Sequence, residues 1–250
     1  SKVVIGSRDP NPLVSGKGVE YLRSKGITVV TDYMRSECDA LNDIFFHYIT
    51  TNTPYVIMKY ATTIDGKISS YTGKSKWISC EQSRVHTHQV RKRVSAIMVG
   101  IGTVLADNPM LNCRVEEPSN PIRIVCDSNL RIPLDCNLVT TAKDIPTYVA
   151  TVSNDVEKIS TLEALGVKVV NTQPKDDRVD LSQLMQILGS LKIDSVLIEG
   201  GSELNFSALK SGIVDCIQVY LAPMILGGAT AKTPVGGLGF ESPDVAKRFK

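Results

Sequence analysis

Residues 195–210 read S-V-L-I-E-G-G-S-E-L-N-F-S-A-L-K, and this stretch indicates the fold. The apolar run Ser195–Glu199 has the length of a buried strand, and two glycines separate it from a helical pattern over Ser202–Lys210. A strand that turns directly into a helix is half of a strand–helix–strand unit. We therefore predict an α/β fold in layers, with a mostly parallel sheet flanked by helices.

The same alternation continues along the chain on both sides of this stretch. Short runs rich in Val and Ile predict further strands at Val3–Gly6, Ile27–Val30, Tyr55–Tyr60, Ala96–Gly100, Ile122–Asp127, Thr147–Val152, Val167–Val170 and Cys216–Leu221. Helical patterns between them predict helices at Gly18–Lys25, Glu37–Ile49, Glu81–Val94, Glu157–Leu165 and Leu181–Leu191. A short helix is also expected after Gly100, ending at Asp107-Asn108-Pro109.

The composition excludes several classes of protein. The chain has 250 residues, of which 42% are hydrophobic and 22% charged, as in an ordinary soluble globular protein. Its 28 Lys and Arg against 26 Asp and Glu leave a net charge of +2, too small to favour binding to nucleic acid or a membrane surface. No apolar run approaches the roughly 20 residues of a membrane span, and the N-terminus lacks the zones of a signal peptide. The six cysteines form no C-x-x-C pair, which favours core thiols in a cytoplasmic protein.

A domain boundary is predicted at Thr50–Pro54, where a polar segment ending in proline separates a helix from a strong strand. Residues 1–53 are too few for a comfortable independent core. We therefore expect them to be the C-terminal part of a larger domain whose front is absent from this chain, with residues 54–250 forming the second domain.

Several motifs indicate chemistry, and each has a structural alternative. Gly200–Gly201 before a helix that Ser202 caps is typical of an anion site, although a plain tight turn explains the same pattern. The I-L-G-G stretch at 225–228 and the glycines at 236–239 fit either the rim of a site or simple turns. Asp107 is a turn residue or a carboxylate at the ligand-binding end of the sheet.

Other residues are ambiguous in the same way. Trp77 belongs to the core or a lid, or stacks on a flat ring. Arg91, Arg93 and Arg114 bind a phosphate or lie on solvated surfaces. His86 and His88 diverge on a helix, so no metal site is predicted.

Taken in order, these segments resemble one family. K-Y-A-T-T-I-D-G-K (59–67), S-K-W-I-S (75–79), G-I-G-T-V-L-A-D-N-P-x-L-x-x-R (100–114), P-I-R-I-V-C-D-S (121–128) and V-L-I-E-G-G-S-E-L (196–204) are similar to the reductase domain of the RibD family of bifunctional riboflavin-biosynthesis enzymes. R-D-P-N-P-L-V-S-G-K-G (8–18) and A-L-N-D-I-F-F (40–46) resemble the end of that family's cytidine-deaminase-like domain. The deaminase zinc motifs are not in this stretch, so zinc is expected only in the missing deaminase part.

The resemblance implies a dihydrofolate-reductase-like fold and a homodimer or higher homo-oligomer. It implies reduction of 5-amino-6-(5-phosphoribosylamino)uracil by NADPH to the ribitylamino product. The positions that match cofactor contacts are Ala61, Trp77, Thr103, Asp107, Ser128, Gly201, Ser202, Glu203, Leu204, Asn205, Phe206 and Ser207. The positions that match substrate contacts are Ser75, Arg91, Leu111, Arg114 and Glu199. Asp107 and Lys59 are the implied catalytic residues, with Asp65 in the same matching segment. Tyr60 and Thr62 depart from the family's pattern beside the site.

Within this expectation, Arg91 and Arg114 bind the ribose 5-phosphate, Glu199 orients the substrate, and Ser128 with Arg131 binds the adenosine 2′-phosphate. Two alternatives remain open. One is another NADPH reductase of the same fold, acting on a diaminopyrimidine-type substrate. The other is a non-catalytic nucleotide-binding module.

Overall fold

The computed structural model describes residues 1–115 and 119–249, so Lys250, the predicted end of the second domain, lies outside the described residues. The described strands are β1 (Lys2–Val4), β2 (Thr28–Val30), β3 (Tyr55–Thr63), β4 (Ala96–Gly100), β5 (Ile122–Cys126), β6 (Thr147–Thr151), β7 (Lys168–Asn171), β8 (Pro174–Lys175), β9 (Arg178–Val179), β10 (Ser195–Ile198) and β11 (Cys216–Ala222). The described helices are α1 (Lys17–Ser24), α2 (Arg35–Ala40), α3 (Asp43–Thr51), α4 (Glu81–Arg93), α5 (Ile101–Asp107), α6 (Asn137–Thr140), α7 (Val156–Ala164), α8 (Leu181–Ser190) and α9 (Ser202–Ser211).

The centre of the fold is a seven-stranded sheet in the order β11-β3-β10-β4-β5-β6-β7. Every neighbouring pair in this sheet is parallel, and the antiparallel pairing that the structure describes is the separate β8–β9 hairpin. The predicted mostly parallel α/β fold is therefore confirmed. Because parallel strands need crossover connections, helices lie on both faces and the central strands are buried.

Alternation along the strands divides the core into two faces. Val56 and Met58 of β3 face one side, in the cluster that includes Leu184 of α8 and Leu204 of α9. Ile57 of β3 faces the other side, in a small cluster packed near α4. Side chains two residues apart share a face, so odd-numbered residues of β3 lie towards α4.

One predicted helix differs from the structure, and three short elements, β8, β9 and α6, were not predicted. The predicted helix over Glu37–Ile49 is two helices, α2 and α3, broken at Leu41–Asn42. The Asp43 carboxylate accepts the amide of Ile44, and the side-chain amide of Asn42 donates to the carbonyl of Cys38. Such local side-chain hydrogen bonds compete with helix formation, which the apolar periodicity alone did not indicate. The β8–β9 hairpin was not predicted, because strands of two residues carry no periodic signal.

The N-terminal segment packs directly on the sheet domain. The α3 side chain Tyr48 donates its hydroxyl to the carbonyl of Gly189 in α8, at 3.0 Å. A methyl group added at Gly189 would lie 2.0 Å from the carbonyl oxygen of Asn52, so only glycine permits this approach. His47 Nδ1 lies 3.4 Å from Oδ1 of Asp215, just before β11. The end of α3 is thus fitted to α8 and to the sheet.

Candidate active site

The carboxyl ends of four adjacent parallel strands, β3, β10, β4 and β5, lie side by side at one edge of the sheet. The chain beyond β10 stays bonded to β4: the Glu199 amide donates to Met98 at 3.0 Å, and the Gly100 amide donates to Gly200 at 3.2 Å. Parallel α/β sheets bind ligands at this edge. The predicted motifs therefore converge where the fold favours a site.

Gly200 and Gly201 form the turn between β10 and α9. Their φ angles are +134° and +93°, a region that residues with a Cβ adopt only under strain. The prediction that Ser202 caps the helix is wrong: Ser202 is the first helical residue, and Gly201 occupies the N-cap without a side-chain capping bond. The N-cap is the residue before the first helical one, so Ser202 does not occupy it. The amides at the start of α9 are therefore available to an anion, aided by the helix dipole.

A cavity of about 540 Å³ opens at the start of α9. This volume is typical of small-molecule and cofactor sites. Among the predicted site residues, its lining contains Ser75, Thr103, Asp107, Ser128, Gly201, Ser202, Glu203, Leu204 and Ser207. The structure thus brings most of the implied cofactor positions together around one cavity, together with the implied substrate position Ser75.

Three cations that line this cavity are Arg131, Arg178 and Lys232. The sequence analysis named Arg131 but missed the other two, because Arg178 lies on the short hairpin and Lys232 on a loop. The carboxylate of Glu203 joins the surrounding segments. It accepts from Arg178 at 3.2 Å and from the amide of Gly237 at 2.9 Å. An ion pair between α9 and the β8–β9 hairpin therefore forms part of the cavity wall, and a hydrogen bond ties α9 to the loop at Gly237.

A buried ionic cluster lies on the other side of Gly200, around Glu199. The Arg91 guanidinium donates to both oxygens of Glu199, Nε to Oε1 at 2.6 Å and Nη2 to Oε2 at 3.0 Å. Lys59 Nζ lies 3.8 Å from Oε2, and the side chains of all three residues are less than one fifth exposed. Arg91 Nη1 donates to the carbonyl of Asn112 at 2.8 Å. Arg91 therefore has most of its donors engaged within the protein.

These contacts determine the ionisation of the cluster. Burial opposes the charged form of Glu199, but the hydrogen bond and charge of Arg91, with Lys59 and His88, outweigh it and lower the pKa of Glu199. Burial lowers the pKa of Lys59, and Glu199 only partly offsets that effect. For Arg91, burial acts downward, but the bond to Glu199 raises the pKa. Lys59 is thus a buried amine that releases a proton more readily than a surface lysine.

The segment that follows α5 connects the cavity to this cluster. Leu111 is buried with a φ of +50°, and it precedes Cys113, whose thiol donates to the carbonyl of His88 at 3.3 Å. Arg114 is exposed, and its guanidinium lies against the ring of His88, with Nε and Nη2 each 3.3 Å from Nε2. The predicted substrate residues Arg91, Arg114 and Glu199 therefore lie around one region, near Lys59 and His88.

Four implied cofactor positions lie outside the cavity lining. Ala61 follows Lys59 on β3, two residues along the same face. Trp77 is 67% exposed, and the guanidinium carbon of Arg84 lies 4.5 Å from its ring centroid. The remaining two, Asn205 and Phe206, pack against the C-terminal loop. The amide of Asn205 donates to the carbonyl of Pro234 at 2.8 Å, and the Phe206 ring lies 5.6 Å from that of Phe240.

Asp65 fastens the I-L-G-G loop rather than facing the cavity. Its carboxylate accepts from the Thr63 hydroxyl at 2.6 Å, the Leu226 amide at 3.2 Å and the Gly227 amide at 2.7 Å. The hydrogen bond from Thr63 and those from the two amides lower the pKa of Asp65 to about 2. Asp65 therefore holds this loop beside the site.

The six cysteines are free thiols, but the prediction that they all belong to the core is wrong for Cys80, which is exposed at the start of α4. Among residues 1–115 and 119–249, no group of three or more His, Cys, Asp or Glu side chains is arranged to hold a metal ion. In the same part of the chain, none of the helices has the length and apolar character needed to span a bilayer.

Comparison with known proteins gives consistent results. The model of the family described as RibD C-terminal domain matches residues 54–250. The chain is 56% identical over 249 residues to riboflavin biosynthesis protein RibD of Actinobacillus pleuropneumoniae, covering all of this chain and 66% of that protein. It is 41% identical over 202 residues to the 2,5-diamino-6-ribosylamino-4(3H)-pyrimidinone 5′-phosphate reductase of Methanothermobacter thermautotrophicus, covering 79% of this chain and 90% of that protein. The chain thus spans about two thirds of the length of the RibD relative.

The fold is similar to a solved structure from Thermotoga maritima, described as a diaminohydroxyphosphoribosylaminopyrimidine deaminase/5-amino-6-(5-phosphoribosylamino)uracil reductase. The TM-score is 0.84 at 34% identity, and the match covers all of this chain and 66% of that one. An Acinetobacter baumannii RibD structure gives 0.82 at 33% identity, with all of this chain and 68% of that one covered. The predicted dihydrofolate-reductase-like architecture of the sheet and its helices is confirmed.

Proposed function

Because the chain belongs to the RibD C-terminal domain family, we propose that it reduces 5-amino-6-(5-phosphoribosylamino)uracil with NADPH to the ribitylamino product, a step of riboflavin biosynthesis. The observation that carries this proposal is the position of the cavity. It opens at the uncapped start of α9, and Glu199, two residues before Gly201, contacts the buried amine of Lys59 and the guanidinium of Arg91. A dinucleotide phosphate and a phosphorylated pyrimidine require these two chemistries side by side.

The residues present fit NADPH. The first-turn amides of α9 and the glycine turn suit a pyrophosphate, because backbone donors and the helix dipole point to one place. Ser128 and Arg131 line the end of the cavity near β5 and are the proposed contacts of the 2′-phosphate. When bound, NADPH supplies a hydride, which the substrate accepts at C1′ of its ribosylamino group.

Residues of this chain open the ribose ring and orient the substrate. Opening the ribose ring requires a proton at O4′, and Lys59, whose pKa burial lowers, is the proposed donor. Glu199 holds Lys59 and Arg91 in place and orients the substrate. Asp107, at the cavity end of α5, is the proposed group that stabilises positive charge on the opened C1′ imine or assists ring opening.

The test is NADPH oxidation followed at the absorbance of reduced nicotinamide. We expect turnover with the phosphoribosylaminouracil, a loss of about 100-fold or more in kcat for Lys59→Met, and little change for Lys158→Met in α7. Asp107→Ala with intact NADPH binding should also lose turnover. Binding of NADPH without oxidation would instead identify a nucleotide-binding module.

One observation favours a second substrate. The Methanothermobacter relative is described as acting on the 2,5-diamino pyrimidinone, and it matches most of this chain. Single-turnover rates with both pyrimidines decide between them, and a higher rate with the diamino form would replace the uracil substrate in this proposal. The contact of Ser128 with the 2′-phosphate is tested by the rates with NADPH and NADH in the wild type and in Ser128→Asp. An unchanged preference for NADPH in the variant would refute this contact.

The assembly is proposed to be a homodimer or a higher homo-oligomer in the cytoplasm. The edge strand β11 supports this, because its Val219 and Leu221 side chains are 47% and 64% exposed. Residues 1–53 are proposed to be the C-terminal part of a deaminase-like domain.

A further inference from the structure

The ring of His88 cannot accept hydrogen bonds from all the Arg114 donors that point at it. The backbone amide of Arg114 points at Nδ1 of the imidazole at 3.3 Å, and the guanidinium points at Nε2, also at 3.3 Å. A neutral imidazole offers one acceptor nitrogen, and its other nitrogen carries a hydrogen. Whichever tautomer forms, one donor of Arg114 therefore faces another donor.

The charges around His88 favour an incoming anion. Lys59 from β3, Arg91 on the same helix and Arg114 from the loop are cationic, and Glu199 after β10 is the single acidic group among those that shift the imidazole. Burial, followed by Arg91 and Arg114, lowers the pKa of His88. Among residues 1–115 and 119–249, Arg114 forms no ion pair with a carboxylate. With Glu199 already bonded to Arg91, this corner has an excess of positive charge.

The position of His88 also makes it accessible to an anion from solvent. It lies one turn before Arg91 on α4, so both side chains project from the same face of the helix. Arg91 has most of its donors engaged by Glu199 and Asn112, whereas Arg114 is exposed and His88 is half-buried. An anion arriving from solvent therefore meets Arg114 and His88 before it meets Arg91.

We propose that His88 is a substrate-binding residue that, with Arg114, holds the 5-phosphate of the ribosylamino substrate. This inference rests on the proposed function for the identity of the substrate. A phosphate oxygen between the two side chains accepts from both, which removes the donor–donor contact. The neutral imidazole then donates from Nε2 to the phosphate, while its Nδ1 accepts from the Arg114 amide. The negative charge of the phosphate, which is doubly charged above a pKa of about 6, also raises the pKa of His88.

The first test measures the ring of His88 directly. The imidazole resonances are followed by NMR against pH in the wild-type chain, with His88→Gln to assign them, using ribose 5-phosphate as the probe and ribose as the control. We expect ribose 5-phosphate to raise the pKa of His88 and ribose to leave it unchanged. An unchanged pKa with ribose 5-phosphate, an equal change with ribose, or no detectable binding of the phosphate would overturn the proposal.

The second test is kinetic and uses His86→Gln as the matched control, since His86 lies on the same helix and contacts Tyr220 and Gln218. At pH 6, His88→Gln should raise KM for the phosphorylated substrate about 10- to 100-fold with kcat unchanged. The effect should persist at pH 8, because the neutral imidazole still donates from Nε2. It should be absent with the dephosphorylated ribosylamine.

The outcomes separate the two proposals. A wild-type chain that does not oxidise NADPH with either pyrimidine refutes the proposed function, and the NMR titration still decides the role of His88. An active enzyme in which His88→Gln lowers kcat and leaves KM unchanged, or in which phosphorylated and dephosphorylated substrates respond alike, refutes the phosphate contact alone.

Discussion

Replacing Glu199 by Gln tests how much the buried ionic cluster contributes to stability. Glu199→Gln keeps the shape of the side chain, but it removes the charge and turns one of the two acceptors into a donor. Arg91 Nη2, at 3.0 Å from Oε2, or Arg91 Nε, at 2.6 Å from Oε1, then faces an amide group. Two cations remain beside it with little access to water, since the side chains of Arg91 and Lys59 are 13% and 16% exposed.

The expected loss in the free energy of unfolding is about 3–5 kcal/mol, the cost of removing one partner from a buried ion pair. For a chain of this size, about 2–4 °C of melting temperature accompanies each kcal/mol, so Tm should fall by about 6–20 °C. Glu203→Gln is the control, because its pair with Arg178 is more than half exposed on both sides. That change should cost within about 1 kcal/mol.

The pH dependence has a definite sign. Because the folded-state pKa of Glu199 lies below its ordinary value of 4.5, the carboxylate contributes its full stability above that value. The contribution is lost as the pH falls through the lowered pKa. The difference in Tm between wild type and Glu199→Gln should therefore be constant from neutral pH to about pH 5 and narrow below it. This account would be refuted if Glu199→Gln lowered the free energy of unfolding in urea at pH 7 by only about 1 kcal/mol or less. It would also be refuted if the difference in Tm did not narrow in acid.

Three further changes test other parts of the structure. Arg123→Met should destabilise the fold by about 3–5 kcal/mol in urea unfolding, because the buried guanidinium donates to carbonyls and threonine hydroxyls that would lose their partner; a loss under 1 kcal/mol would contradict this. Gly201→Ala should weaken NADPH binding about tenfold by titration, since alanine at a φ of +93° is strained, and unaltered affinity would contradict it. Asp65→Asn should speed hydrogen exchange of the Gly227 amide, which donates to the Asp65 carboxylate. Because the pKa of Asp65 is lowered from 3.8 to about 2, the wild-type protein should lose this protection against exchange as the pH falls from 3.8 towards 2.

The order of strands and helices was predictable because each depends on local periodicity. The limits of Ala96–Gly100 are as predicted, and the long helices differ by a residue or two at their ends. Pairing of β10 between β3 and β4 was not predictable, since it joins segments far apart in the sequence. That pairing brings Lys59, Glu199 and the glycine turn together.

The site was predictable in its members more than in its contacts. The resemblance named Arg91 and Glu199, but it did not indicate that they bond to each other so closely that Arg91 has few free donors. Arg178 and Lys232 carried no signal, because single basic residues in loops are common on any surface. The sequence analysis considered His88 only as a metal ligand. Its contact with Arg114 was not predictable, because Arg114 comes from a separate segment of the chain.

The close fit of α3 against α8 changes what counts as a transferable unit. A fusion that contained residues 54–250 alone would expose Gly189, against which the backbone of Asn52 packs. It would also remove His47, whose imidazole contacts Asp215. Grafting residues 54–250 onto another scaffold should therefore carry α3 with them. Protein engineers who swap this module would set the junction ahead of Asp43.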